Sequence, residues 1–307
     1  MTAGDWIDGF LQRERLPQHY RDTIRDICLP LARTIARAAA SATEGASDSK
    51  GGGRMLTVGL CGAQGSGKST LAAALVELLR ADGLAAASLS IDDFYLTHAE
   101  RRALAASVHP LLQTRGVPGT HDVPLAQATL RSLRSGGVTA LPVFDKQVDD
   151  RRAPADWPRV EGPLRVTLLE GWCVGARPQA MTALVQPLNA LERDEDADGT
   201  WRGYVNACLA GDYQLLFGAL DLLLLLQAPS FDVVYGWRLE QERKLRERVA
   251  AAGGDAKRVM DDAGVARFIS HYERITRHIL EEMPGRADVV VELDAARAPL
   301  QLLARGG

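Results

Sequence analysis

Three features of this 307-residue sequence predict an α/β fold built on a parallel sheet. Short apolar runs alternate with helical periodicities along most of the chain, the order of strands and helices in a sheet covered on both faces. Gly59 to Ile91 spans one strand-helix-strand unit, so its two strands are expected to lie parallel. Inside that unit stands Gly62-Ala63-Gln64-Gly65-Ser66-Gly67-Lys68-Ser69, which has the spacing of a phosphate-binding loop, with a buried strand before it and a helix after it.

Residues 5 to 40 carry two helical patches, Trp6, Ile7, Phe10 and Leu11, then Ile24, Ile27, Cys28, Leu31 and Ile35, punctuated by Pro17 and Pro30. Residues 1 to 40 are therefore expected as an N-terminal helical segment, 41 to 53 as a Ser/Ala/Gly-rich linker, and 54 to 307 as the main domain. In that domain the apolar runs 56–61, 85–91, 164–169, 220–227 and 287–293 read as strands. Helices are expected at 70–80, 231–252 and 262–282. Residues 99 to 164, rich in Pro and Gly, read as loops with one short helix at 125–134.

Composition narrows the class. Hydrophobic content of 46% and charged content of 24% are those of an ordinary globular protein, and a net charge of -3 gives no support for nucleic-acid binding. The longest apolar run, Leu220 to Ala228, is interrupted by Asp221 and is too short to span a bilayer, so no membrane partner is expected. The start of the chain does not resemble a signal peptide, and the cysteines at 28, 61, 173 and 208 lack metal-ligand spacing. A cytoplasmic location is the simplest expectation. Asp194 to Gly199 opens like a calcium-binding loop, but its twelfth position is Val205 rather than Glu, so it reads as an acidic loop.

The residue types then suggest chemistry. Glycines let the backbone of residues 62 to 70 wrap an anion, Lys68 brings positive charge to the phosphates, and Ser69 offers a hydroxyl to Mg²⁺. Ligands of parallel sheets sit beyond the carboxyl ends of the strands, and the second and third strands end in Asp92-Asp93-Phe94-Tyr95 and in Glu170. A carboxylate at the first place could accept a substrate proton, and one at the second could orient the metal. Two charged loops, Arg115 to Asp122 and Pro142 to Arg152, fit either a solvated surface or a pocket for a small anion. The helix from Trp237 to Arg246 reads either as a salt-bridged surface helix or as a lid bringing Arg238, Lys244 and Arg246 to a phosphoryl group.

With these residues quoted, the chain resembles the phosphoribulokinase, uridine kinase and pantothenate kinase superfamily of P-loop kinases, and within it the D-glycerate 3-kinase family. The shared motifs are Gly-Ala-Gln-Gly-Ser-Gly-Lys-Ser-Thr at 62–70, Ser-Ile-Asp-Asp-Phe-Tyr-Leu-Thr at 90–97, Arg-Gly-Val-Pro-Gly-Thr-His-Asp at 115–122, Phe-Asp-Lys at 144–146, Leu-Glu-Gly-Trp-Cys-Val-Gly at 169–175 and Trp-Arg-Leu-Glu-Gln-Glu at 237–242. The resemblance implies a P-loop NTPase fold with a five-stranded parallel sheet of order 2-3-1-4-5, ATP and Mg²⁺, and phosphorylation of a small-molecule hydroxyl, D-glycerate foremost. A pantothenate- or nucleoside-like acceptor, or a non-catalytic ATP-binding module, is the alternative. Carried over by position, Asp92 is the base rather than Asp93, Lys68 and Arg238 assist transfer, and Ser69 and Glu170 attend the metal. Asp93, Tyr95, Arg115, His121, Asp122, Lys146 and Arg151 fall near the substrate. Residues 1 to 53 lie outside the resemblance.

Overall fold

The computed structural model describes residues 3–44, 54–251 and 260–304. The chain starts with α1 (Ala3–Glu14) and α2 (Tyr20–Thr23), which runs through a π-helical turn (Ile24–Cys28) into α3 (Leu29–Glu44). Then come β1 (Leu56–Gly62), α4 (Lys68–Ala81), β2 (Ala86–Ser90), α5 (His98–Ser107) and α6 (Val123–Ser135). Two small ribbons follow, β3 (Val138–Ala140) with β6 (Arg159–Glu161) and β4 (Phe144–Asp145) with β5 (Asp150–Arg151). After β7 (Val166–Gly171) lie α7 (Ala190–Glu195), α8 (Thr200–Ala210), α9 (Asp212–Phe217) and β8 (Leu222–Gln227). The chain closes with α10 (Phe231–Ala251), α11 (Asp262–Glu282), β9 (Val289–Leu293) and β10 (Pro299–Ala304).

The main sheet has the order β10-β9-β8-β1-β7-β2. Its five strands β2, β7, β1, β8 and β9 run parallel, and these are the five expected strands in the expected order. Every residue of β1 and β7 is buried, as a strand covered on both faces requires. The parallel register places Glu170 level with Leu60 on one side and Ser90 on the other, so its carboxylate emerges where the phosphate loop leaves β1.

Four departures from the sequence reading have local causes. A sixth strand, β10, turns back antiparallel on β9. It was not expected because Leu300 and Leu303 are exposed and the segment carries no buried face. Residues 98–107 form α5, not a loop, started by Thr97 as N-cap in a reciprocal capping box with Glu100. The stretch after β7 holds α7, α8 and α9; here Asp196, in the acidic stretch, caps α8 by accepting from Trp201 N at 2.6 Å and pairs with Arg202 at 2.8 Å. Finally, residues 41–44 of the expected linker continue α3, and 45–53 lie outside the described residues.

The N-terminal helices share the main core. Phe10, Ile24, Leu31 and Ile35 are buried in the same cluster as the strands. Trp6 Nε1 and Arg13 Nη2 both reach Glu77 of α4, at 2.8 and 2.7 Å. Phe10 is 0% exposed, so Phe10→Ala is expected to cost about 3–5 kcal/mol in urea unfolding of the full chain. A cost below about 1 kcal/mol would mean that these helices are not part of the cooperative core.

Candidate active site

The phosphate loop is shaped by close approach. Gly65 and Gly67 have φ of 79° and 87°, and a Cβ on Gly65 would lie 2.8 Å from Cβ of Trp237. Only glycine satisfies both demands at 65. Trp237 belongs to α10 and is fixed by its indole N–H, which donates to Ala295 O at 2.8 Å. α4 begins at Lys68, so its unpaired amides and the positive end of its dipole face the loop. Within the loop, Ser66 Oγ and Gln64 Oε1 are buried without a hydrogen-bond partner.

Lys68, Ser69 and Glu170 come together. Ser69 Oγ donates to Glu170 Oε1 at 2.9 Å. Glu170 Oε2 is buried without a hydrogen bond, 4.0 Å from Lys68 Nζ. Glu170 lies within β7 and not beyond its end.

Asp92 and Asp93 are adjacent in a 3₁₀ turn, Ile91–Phe94, that follows β2. Their carboxylates still part company. Asp92 Oδ1 accepts from Tyr95 OH at 2.8 Å and Oδ2 from Lys146 Nζ at 2.7 Å. Burial works to raise the Asp92 carboxyl, but the charges of Lys146 and Lys68, with the hydrogen bonds from Lys146 and Tyr95, outweigh it and hold the group below the usual carboxylate range. Asp93 turns to the substrate-side loop and accepts from Phe144 N at 3.1 Å. Burial, with the charges of Asp92 and Glu170, pushes it up to about 6 against that bond.

Around Asp92 an aromatic cluster connects the loops. Tyr95 stacks on His121 with centroids 4.5 Å apart and meets Phe144 edge-on at 5.2 Å. His121 Nδ1 lies 2.6 Å from Tyr213 OH, and its buried Nε2 has no partner. Burial pushes His121 down to about 4, so the ring is neutral at pH 7. Arg115 sits over the Phe144 ring at 5.5 Å and pairs with Asp149. Asp122 and Arg151 bond each other at 3.0 Å, while Asp122 also caps α6 by accepting from Leu125 N at 3.0 Å.

A cavity of about 510 Å³ opens beside this cluster, with Arg101, Arg115, Arg238, Arg267 and His98 in its walls together with Asp149 and Glu195, which pair with Arg115 and Arg267. Arg238 is positioned by Glu242, one turn along α10 at 2.6 Å, and by the Phe268 ring at 5.4 Å. The other two expected lid cations are engaged elsewhere: Lys244 pairs with Glu240, and Arg246 donates to Met260 O at 2.6 Å.

Sequence reasoning missed Arg101, Tyr213 and Arg267. Arg101 is 1% exposed and donates to Leu96 O, Gln113 O and Asp149 O at 3.1, 2.8 and 2.7 Å. The Thr97-x-x-Glu100 capping box would have announced its helix. Nothing in the sequence pattern marks Tyr213, whose role depends on a contact 92 residues away.

No model of a known protein family matches the sequence. An uncharacterized kinase of Schizosaccharomyces pombe, mug58, is 36% identical over 231 residues, 72% of this chain and 79% of the relative. The chloroplastic D-glycerate 3-kinase of Arabidopsis thaliana is 31% identical over 264 residues, 80% of this chain but 54% of the plant protein, so the chain spans about half of that relative. Among solved structures, the D-glycerate 3-kinase of Cryptococcus neoformans var. grubii superposes with a TM-score of 0.74 at 25% identity, covering 91% of this chain and 99% of that one. The phosphate loop with Lys68, Ser69 and Glu170, the parallel sheet and these relatives agree: the chain belongs to the D-glycerate 3-kinase family, ATP-dependent P-loop kinases that phosphorylate an alcohol group of a small molecule.

Proposed function

We propose that the acceptor is D-glycerate and the product 3-phospho-D-glycerate. The observation that carries this reading is the Arg-bearing cavity whose wall residue Arg115 lies over the Phe144 ring of the Asp92 cluster, because a guanidinium fork matches a carboxylate in shape and charge. Arg115 and Arg238 hold the glycerate carboxylate, which leaves the hydroxyl end of the acid toward Asp92. The plant and fungal relatives named for this activity support the choice of acid.

Transfer is in line. The glycerate 3-hydroxyl oxygen bonds to the γ-phosphorus as the bond to the β–γ bridging oxygen breaks, and ADP leaves. The hydroxyl proton passes to Asp92, whose oxygens each keep a free lone pair beside the bonds from Tyr95 and Lys146. Lys68 and the loop amides lie against the charge that develops on the phosphates. His121, neutral and stacked on Tyr95, keeps the Tyr95 hydroxyl directed at Asp92.

A divalent cation fits beside Ser69 and Glu170, where the buried Oε2 has no hydrogen bond and all donors are hard oxygens. Among the described residues there is no group of three His, Cys, Asp or Glu that could hold a metal, so Ser69 and Glu170 would supply only part of the cation's ligands. Bound Mg²⁺ supplies charge neutralisation between the phosphates.

Incubating the purified protein with ATP and a panel of hydroxy acids, pantothenate and nucleosides tests the acceptor. D-Glycerate is expected to give a phosphomonoester at its 3-position by phosphorus NMR, and turnover only with pantothenate or a nucleoside would overturn the acid. Asp92→Asn should lower turnover about 10²- to 10⁴-fold with ATP affinity little changed, and Asp93→Asn should do less. Equal losses in the two variants would remove Asp92 as the base. Lys146→Ala removes a charge and a hydrogen bond that hold Asp92 down, leaving burial less opposed, so its carboxyl rises. The acid limb of the kcat/KM profile should then move to higher pH. A limb that stays in place would show that it reports another group.

A further inference from the structure

Tyr213 belongs to the short helix α9, outside the six motifs that carry the kinase resemblance, yet it touches the loop of residues 115 to 122 twice. Its side chain is buried, and its hydroxyl accepts from Gly119 N at 3.1 Å and meets His121 Nδ1 at 2.6 Å. A phenol has one proton to give, and with the Gly119 amide already on its oxygen that proton goes to Nδ1. Burial keeps both groups neutral at pH 7, pushing the Tyr213 hydroxyl up and His121 down to about 4. His121 therefore carries its own proton on Nε2, where it has no acceptor. A buried donor left unpaired is costly, so the ring is not held in this state for the sake of its own hydrogen bonds.

The connection onward to the site is short. Tyr95 and His121 form an isolated antiparallel bridge, flanked by Leu96 N donating to Thr120 O at 2.9 Å and Asp122 N donating to Phe94 O at 2.7 Å. Their rings stack with planes 25° apart, and Tyr95 OH donates to Asp92 Oδ1 at 2.8 Å. Resting on the reading of Asp92 as the base, we propose that Tyr213 is a positioning residue for phosphoryl transfer: it fixes the tautomer and plane of His121, and the stacked imidazole in turn holds the Tyr95 hydroxyl on the base. The bond to Nδ1 sets the imidazole about its Cβ–Cγ bond. Without it the ring keeps only its contacts with the Tyr95 and Tyr213 rings, and such contacts accept a turned ring or the other tautomer. The effect falls on turnover and not on ATP binding, since Tyr213, His121, Tyr95 and Asp92 all lie outside the phosphate loop.

Nitrogen-15 NMR of the full chain labelled at histidine reads the tautomer, with the His121 signals assigned by their loss in His121→Asn. The wild type is expected to show Nδ1 unprotonated and Nε2 protonated, and Tyr213→Phe a mixture of the two tautomers. Tyr213→Phe keeps the ring and its packing. Its kcat with the acceptor that the panel above identifies should fall about tenfold, the worth of one positioned hydrogen bond, with the KM for ATP unchanged. That loss should vanish in a Tyr95→Phe background, where no hydroxyl is left to hold. Nδ1 protonated in the wild type, which needs no variant to fold, would overturn the proposal. So would an unchanged kcat in Tyr213→Phe, an equal loss with Tyr95 present and absent, or a raised acceptor KM with kcat intact, which would mark a structural role in the loop that bears Arg115. Near-normal turnover in Asp92→Asn would overturn the base assignment and the proposal with it. Lost turnover in Asp92→Asn beside independent losses at the two tyrosines would overturn the proposal and spare the base.

Discussion

The buried Glu170 carboxylate sets the constraint that the rest of the site satisfies. A carboxylate 6% exposed inside a fully buried strand is costly unless charge and hydrogen bonds reach it. Ser69 supplies the hydrogen bond and Lys68 the nearby charge, and both can do so only if α4 begins where it does. The left-handed glycines at 65 and 67 make that start possible. Strand register, loop conformation and helix start are thus coupled through one side chain, and each can be read as the condition for the next.

The second charged center is assembled differently. Asp92 draws its partners from the loops and not from the sheet: Lys146 comes from the β4–β5 ribbon and Tyr95 from the turn that follows Asp92. Asp93 grips the backbone of the same ribbon at Phe144. Adjacent carboxylates therefore divide the work, one facing the lysines and the other holding the segment that brings Lys146 into place. Their opposite shifts follow, since two lysines and two hydrogen bonds outweigh burial at Asp92, while at Asp93 burial and the charges of Asp92 and Glu170 outweigh the Phe144 hydrogen bond and Lys146.

How far the sequence discloses this depends on the range of the interaction. The parallel strands are legible because β1, β7 and β8 are short apolar runs bounded by polar or Gly residues, and the phosphate loop because its glycines are demanded locally by backbone geometry. α5 is hidden because its one fully buried side chain is an arginine, which a search for apolar periodicity passes over. β10 is hidden because it is an exposed edge strand that takes its conformation from β9. Lys146, Arg115 and Arg238 are legible as charged groups in loops and helix. Their convergence is not, since it is set by contacts with Asp92, Phe144 and Phe268 that no local pattern encodes. Tyr213 beneath His121 is the extreme case.

The guanidinium of Arg101 has a consequence for how such an enzyme can diversify. By holding the carbonyls of Leu96, Gln113 and Asp149 at once, it ties three separate stretches of the acceptor side to one rigid plane. A lengthened or shortened loop at any of the three would strand buried donors of Arg101, so insertions there should cost stability. Side chains that project from the tied backbone, such as Arg115 and His98, can change without disturbing it. Descendants of this scaffold would therefore acquire new acceptors by substitution on a conserved frame, with loop lengths kept nearly constant while residue identities drift.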